Sequence, residues 1–216
     1  MSRITVPLTA LLVAVFSAPV SAAIIFTSSA TFLPNVESGA YLNTFSTGGN
    51  GGAAAVPSLA FSGSGFAYTV TADASGLYAD NSTVGNWAAI DPVVFTFTGN
   101  PVTAIGGNFF LSDINGLIQN DAQVTIQLSD GTSETFTANS TDAYRGFIST
   151  GPAITSMTLP AVTRFHNVDN LTVGTAIAVP EPTTMSLIAS VGAIAFLIRR
   201  RRLSGVAKAA LKSSNS

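Results

Sequence analysis

The chain has 216 residues, of which only 9% are charged, with a formal net charge of −2 and no cysteine. Without cysteine there is no disulfide framework and no thiolate zinc site, and a single histidine cannot build a zinc site either. Residues 23–178 carry ten carboxylates against two basic residues, Arg145 and Arg164, a net of minus eight; a nucleic-acid partner is excluded, because phosphates are neutralised by Lys and Arg.

In chain order, Met1 to Arg3 opens with positive charge, Ile4 to Phe16 is mostly apolar, and Val20-Ser21-Ala22 has the small-residue form of a signal-peptidase site. Residues 1–22 therefore read as a signal peptide cut after Ala22, with Ala23 as the neighbouring choice. An uncut anchor is the alternative, but the apolar run is too short to span a membrane comfortably. Residues 23–178 form one domain-length segment.

Within that segment apolar residues alternate with period two. Phe66–Thr71, Val94–Thr98 and Gln123–Leu128 are rich in Val, Phe, Ile and Thr, which suits half-buried strands. Ser129-Asp130-Gly131 marks a hairpin turn between Val124–Leu128 and Glu134–Ala138. Further strands are expected at Ile24–Thr27, Val102–Ile105, Phe109–Leu111, Gly146–Thr150, Ile154–Leu159 and Val168–Val173. No long helical period is present. The expected fold is all-β, a single β-sandwich or jelly-roll-like ectodomain. Thr47 to Pro57, with Gly48-Gly49-Asn50-Gly51-Gly52, reads as a flexible loop; a phosphate cradle would need a following Lys, which residues 23–178 lack.

Catalytic patterns are missing. A Ser-His-Asp triad would have to use His166, and Ser64 lies in Ser-Gly-Ser-Gly rather than in a Gly-x-Ser-x-Gly elbow. His166, between Phe165 and Asn167, reads as a turn or strand-edge residue, and none of the ten carboxylates stands in a diagnostic glycosidase pattern. The expectation is a non-enzyme without cofactor or resident metal. Two binding readings remain. Asp113-Ile114-Asn115-Gly116, with Asn120 and Asp121, offers oxygens for a structural calcium but is half an EF-hand loop, and Asx beside glycine also simply makes turns. Trp87, the only tryptophan, is flanked by Tyr78, Asp80 and Asn81. A flat ring beside amide and carboxylate groups suits a sugar; the other reading is a core tryptophan.

The C-terminal region carries an address. Val179-Pro180-Glu181-Pro182 is followed by the uncharged stretch Thr183–Ile198 and by Arg199, Arg200, Arg201 and Arg202. As a helix those sixteen residues reach about 24 Å, short of a hydrocarbon core of about 30 Å; arginine stems extend the apolar length. The arginines put residues 203–216 in the cytoplasm and the bulk of the chain outside. Proline at 180 and 182 prevents the helix from extending outward and keeps this segment extended.

These three parts, residues 179–182, 183–198 and 199–202, resemble the PEP-CTERM sorting signal of Gram-negative bacteria that make exopolysaccharide. The resemblance implies export by way of signal peptidase, a precursor held in the inner membrane by residues 183–198, and processing by exosortase, a membrane-embedded transpeptidase that cuts near Pro-Glu-Pro. It implies a mature product at the cell surface or in the extracellular matrix, associated with exopolysaccharide and biofilm, or else a carbohydrate-binding module on the same route. The ending Asn167–Gly174 also resembles jelly-roll carbohydrate-binding modules, in which the acid, here Asp169, lies near a structural calcium.

Overall fold

The computed structural model describes residues 23–46, 54–73, 75–80 and 82–178, which fall almost wholly in the first of two units, Met1–Ile177 and Ala178–Ser216. The predicted signal peptide, the glycine run 48–52, Asn81, and the sorting signal with its apolar stretch 183–198 lie outside the described residues. No helix among the described residues is long and apolar enough to cross a membrane.

Among the described residues thirteen strands follow in order: β1 (Ile24–Phe26), β2 (Tyr41–Asn43), β3 (Ser58–Gly63), β4 (Phe66–Ala72), β5 (Leu77–Ala79), β6 (Val84–Asn86), β7 (Val93–Gly99), β8 (Ala104–Ser112), β9 (Ala122–Leu128), β10 (Ser133–Ala138), β11 (Tyr144–Ile148), β12 (Ser156–Leu159) and β13 (Phe165–Gly174). Between β1 and β2 lies one helical turn, α1 (Ser29–Phe32), capped by the Ser28 side chain and continued by a 3-10 turn, Leu33–Asn35. All pairings are antiparallel. One sheet runs β1-β11-β8-β13-β6-β5, with β2 also on β13; the other runs β10-β9-β12-β7-β4-β3. The all-β expectation holds as two antiparallel sheets with little helix.

The period-two pattern explains the six-stranded sheet. Phe66, Tyr68 and Val70 of β4, Val93, Phe95 and Phe97 of β7, and Val124, Ile126 and Leu128 of β9 are buried. They share one core cluster with Ile105, Phe109, Phe147, Val168 and Leu171 of the seven-stranded sheet. The β9–β10 hairpin forms around Ser129–Gly131 with Phe136 opposite Val124.

The seven-stranded sheet is covered on both faces at its centre. Every residue of β8 is buried. Over part of its outer face Phe32 lies on the facing glycines Gly106 and Gly146. A Cβ on Gly106 would stand 2.1 Å from the Tyr144 hydroxyl, and one on Gly146 would stand 2.5 Å from the Phe32 ring.

Several expectations are corrected. Ala104–Ile105 and Phe109–Leu111 belong to one strand: Gly106, Gly107 and Asn108 continue β8, each paired with β11, even though the ladder to β13 shifts register at Gly107. The final strand is longer than Val168–Val173 and takes in His166, which is 1% exposed and paired with Leu111 rather than at a turn or edge. Trp87 is 43% exposed, not core; Asn86 holds the buried position at that end of β6. Strands β2, β3, β5 and β6 were not expected. Ser64-Gly65 is the two-residue turn of the β3–β4 hairpin, with φ of +55° and +84°, the positive pair that a type I′ turn requires.

Candidate functional site

A cleft of about 570 Å³ opens on the seven-stranded sheet. Phe110 and Ser112 of β8, Phe165 and Asn167 of β13, and Tyr78 of β5 line it. They share one face of the sheet, because Phe165 faces Ser112, Asn167 faces both Phe110 and Gly85, and Gly85 faces Tyr78. Other lining residues come from four connections: Asp80, Ser82 and Thr83 between β5 and β6, Trp87 just after β6, Asp113, Ile114, Gly116 and Ile118 after β8, and Thr141 between β10 and β11.

A polar chain crosses the sheet face. The Tyr78 hydroxyl donates to Asn167 Oδ1, and Asn167 Nδ2 donates to Ser112 Oγ at 2.9 Å and to the Phe165 carbonyl at 3.1 Å. Gly85 makes room for it, since a Cβ there would meet the His166 carbonyl oxygen at 2.0 Å and the Tyr78 hydroxyl at 2.9 Å. Burial, followed by the negative Asp80, pushes the Tyr78 phenol up to about 12, so it stays an O–H donor at neutral pH.

Asp80 is shaped by its own turn. Its Oδ1 accepts from the backbone N–H groups of Ser82 and Thr83 at 2.9 and 2.8 Å and from both their hydroxyls. Burial acts to raise its pKa, but these bonds outweigh it and hold the carboxyl below its ordinary value. Asp113 caps its loop likewise, accepting at Oδ1 from the N–H groups of Asn115 and Leu117, each at 2.9 Å. This is the turn reading of Asp113–Gly116. Among the described residues no three His, Cys, Asp or Glu side chains stand together as metal ligands.

Trp87 is exposed, yet the backbone that carries it is fastened. Its N–H donates to the Gly76 carbonyl at 2.9 Å. The fully buried Asn86 donates through Nδ2 to the carbonyls of Ala88 and Asp91 at 2.7 and 2.8 Å. Asp91 Oδ2 accepts from the Ser75 N–H and hydroxyl. The ring is therefore presented from a braced connection.

The structure thus brings Tyr78, Asp80 and Trp87 to one cleft. It adds Asn167, Ser112, Phe110 and Phe165, which sequence reasoning did not assign; the usable signal was alternation, since 110 and 112, and 165 and 167, are i and i+2 on their strands. His166, between the last two, points away from that face by the same alternation, with Nε2 against the Pro160 carbonyl at 2.8 Å. Asp169 stands outside the cleft lining. Burial, with Asp142 and Asp80 nearby, holds its carboxyl above the ordinary value, and both its oxygens accept from Asn170. The register of β13 on β8 shifts between Asp169 and Thr172, with Asn170 at φ +51°. Asp80 and Asp113 are the charged groups of the lining, and neither arginine belongs to it. Arg145 lies over the Phe136 ring at 3.8 Å and faces Glu134 at 3.6 Å, and Arg164 donates to the Thr163 carbonyl. The cleft offers flat apolar surface, hydroxyl and amide groups, and negative charge.

Among known families, residues 178–202 match the PEP-CTERM protein-sorting motif. No curated protein and no solved structure matches the chain. The chain carries the sorting signal of an exosortase substrate, and that motif implies an exported protein processed at the membrane.

Proposed function

We propose that this exported, exosortase-sorted protein reaches the cell surface or extracellular matrix of a Gram-negative bacterium and there holds extracellular polysaccharide in the Trp87 cleft. One observation carries the reading: the only tryptophan is exposed in a concave site beside Tyr78, Asp80, Ser112 and Asn167. A sugar ring has an apolar face that packs on an aromatic plane and hydroxyls that bond to amide, hydroxyl and carboxylate groups. With two carboxylates and no cation in the lining, the favoured glycan is neutral or amino-bearing rather than uronate-rich.

The strand order supports a jelly roll. The last eight strands pair as β6-β13-β8-β11 in one sheet and β7-β12-β9-β10 in the other, the interleaved double Greek key of that architecture, which lectin domains share. The likeness is one of fold, and the function rests on the cleft. Binding without turnover fits the residues better than catalysis. Asp80 is held low, opposite to the need of a general acid, and the raised carboxylate, Asp169, is committed to Asn170. No calcium is invoked, since the Asp113 loop is closed by its own backbone bonds.

The test uses protein exported and processed from the full chain, offered neutral, amino-bearing and uronate polysaccharides on an array and in affinity electrophoresis. Saturable binding that weakens at least about tenfold in Trp87→Ala and is absent for uronates is expected. Binding to none of them, or binding indifferent to Trp87→Ala, refutes the proposal. Shortened polysaccharide products would replace it with a hydrolase.

A further inference from the structure

We infer that the turn between β9 and β10 is a receptor for the chain's own processed N-terminus, and that processing breaks the Ala22–Ala23 bond. The Ala23 nitrogen donates to Thr132 Oγ1 at 3.2 Å, across 109 positions of sequence. Thr132 is buried, and its N–H donates to Asp130 Oδ1 at 2.9 Å. The other carboxylate oxygen, Asp130 Oδ2, is buried and has no hydrogen-bond partner among the described residues. A carboxylate oxygen withdrawn from water without a donor is costly, and such an orphan calls for a partner.

Processing supplies one. Inside a peptide bond the Ala23 nitrogen brings one hydrogen and no charge. Hydrolysis by signal peptidase adds the hydroxyl of water to the Ala22 carbonyl, whose carboxylate leaves with the signal peptide. The Ala23 nitrogen keeps the bonding pair, takes protons and becomes an ammonium with three donors. One donor holds Thr132 Oγ1, and the charge and remaining donors serve Asp130. Cutting one residue later discards this nitrogen and Ala23 itself, whose side chain packs against the core cluster, and leaves the new terminus on Ile24, opposite Ile148 in the β1–β11 ladder. The position also suits a fastening point: β1 edges the seven-stranded sheet, while the β9–β10 turn belongs to the six-stranded one. The amide already bonds Thr132, and the ammonium adds the Asp130 contact only after the signal peptide has gone. The inference is independent of the polysaccharide reading.

The test again uses protein exported and processed from the full chain. Mass spectrometry of the N-terminal peptide is expected to begin at Ala23; a start at Ile24, or at Met1, overturns the inference. The second arm uses the absence of lysine from residues 23–178, which leaves the α-amine as the only primary amine there; Lys208 and Lys212 lie in the tail. Acetylation is expected to lower Tm by about 3 °C in the wild type and to leave the Asp130→Asn protein unchanged. That variant keeps an acceptor for the Thr132 N–H. The amine is also expected to react several-fold faster in Asp130→Asn. Equal Tm losses, or equal reaction rates, in the two proteins overturn the ammonium–Asp130 pairing even if the cut is at Ala23.

Discussion

The Asn86 side chain accepts the His166 backbone N–H at 2.7 Å, joining positions 80 residues apart. It replaces a backbone rung where β6 leaves β13, and its Nδ2 holds the connection that presents Trp87. One buried amide therefore links the sheet to the cleft wall. Asn86→Ala removes three hydrogen bonds and leaves the buried His166 N–H and the Asp91 carbonyl short of these partners, while the Ala88 carbonyl keeps the Asp91 N–H. A loss of about 3 kcal/mol in unfolding free energy is expected from urea titration, with weaker polysaccharide binding because the Trp87 backbone is no longer braced.

Trp87→Ala separates binding from stability. The ring is 43% exposed, so its removal is expected to change unfolding free energy by less than about 1 kcal/mol while weakening saturable glycan binding at least about tenfold. As the sole tryptophan, it also reports on the cleft directly. A bound glycan is expected to shift its emission to shorter wavelength and to slow its quenching by iodide.

His166 makes stability fall in mild acid. Burial disfavours the imidazolium and outweighs the contact with the Pro160 carbonyl, so its pKa is below the ordinary 6.5. Its buried Nδ1 has no partner, and a proton there would find no acceptor. Above about 6.5 both folded and unfolded chains are neutral at this residue and the full stability is present. As pH falls below that value the unfolded chain takes a proton that the folded one refuses, and stability drops until the lower folded value is passed. The urea midpoint is expected to be lower at about pH 5.5 than at about pH 7.5, with the difference reduced in His166→Gln. Asp80, held below its ordinary 3.8, adds a loss only in stronger acid, as the pH falls through its folded value.

Phe32→Ala tests the cover on the outer face of the seven-stranded sheet. Phe32 is 0% exposed and rests on Gly106 and Gly146 beside Tyr144. Those glycines cannot fill the space it leaves. A loss of about 3–5 kcal/mol is expected from denaturant unfolding. Glycan binding should persist wherever the protein remains folded, because Phe32 is not among the cleft residues.

The strands with period-two patterns, such as Phe66–Ala72 and Ala122–Leu128, were legible because each buries one face against one core. The Ser129–Gly131 hairpin was legible from turn chemistry. Strands β2, β5 and β6 were not: each is three residues long, too short to show a period; β2 and β6 exist because β13 offers each a ladder, and β5 because β6 offers it one. The continuity of β8 through Gly106 and Gly107 was hidden for a related reason, since isolated glycines signal a break unless their neighbours occupy the missing side-chain volume. Tyr78, Asp80 and Trp87 could be grouped in the sequence because they lie within ten positions of one another, whereas Phe110, Ser112, Phe165 and Asn167 join them only through the registers of β8 and β13.

By itself the sequence determined the address, the acidic character of the exported part and its β class, because motif order, charge and hydrophobic period are local properties read along the chain. The tertiary structure alone decided that Trp87 faces outward, that Asn167 meets Tyr78 and that Ala23 reaches Thr132. Those are matters of which strands pair and in which register, and that choice is made by burial summed over the two sheets rather than by any short segment.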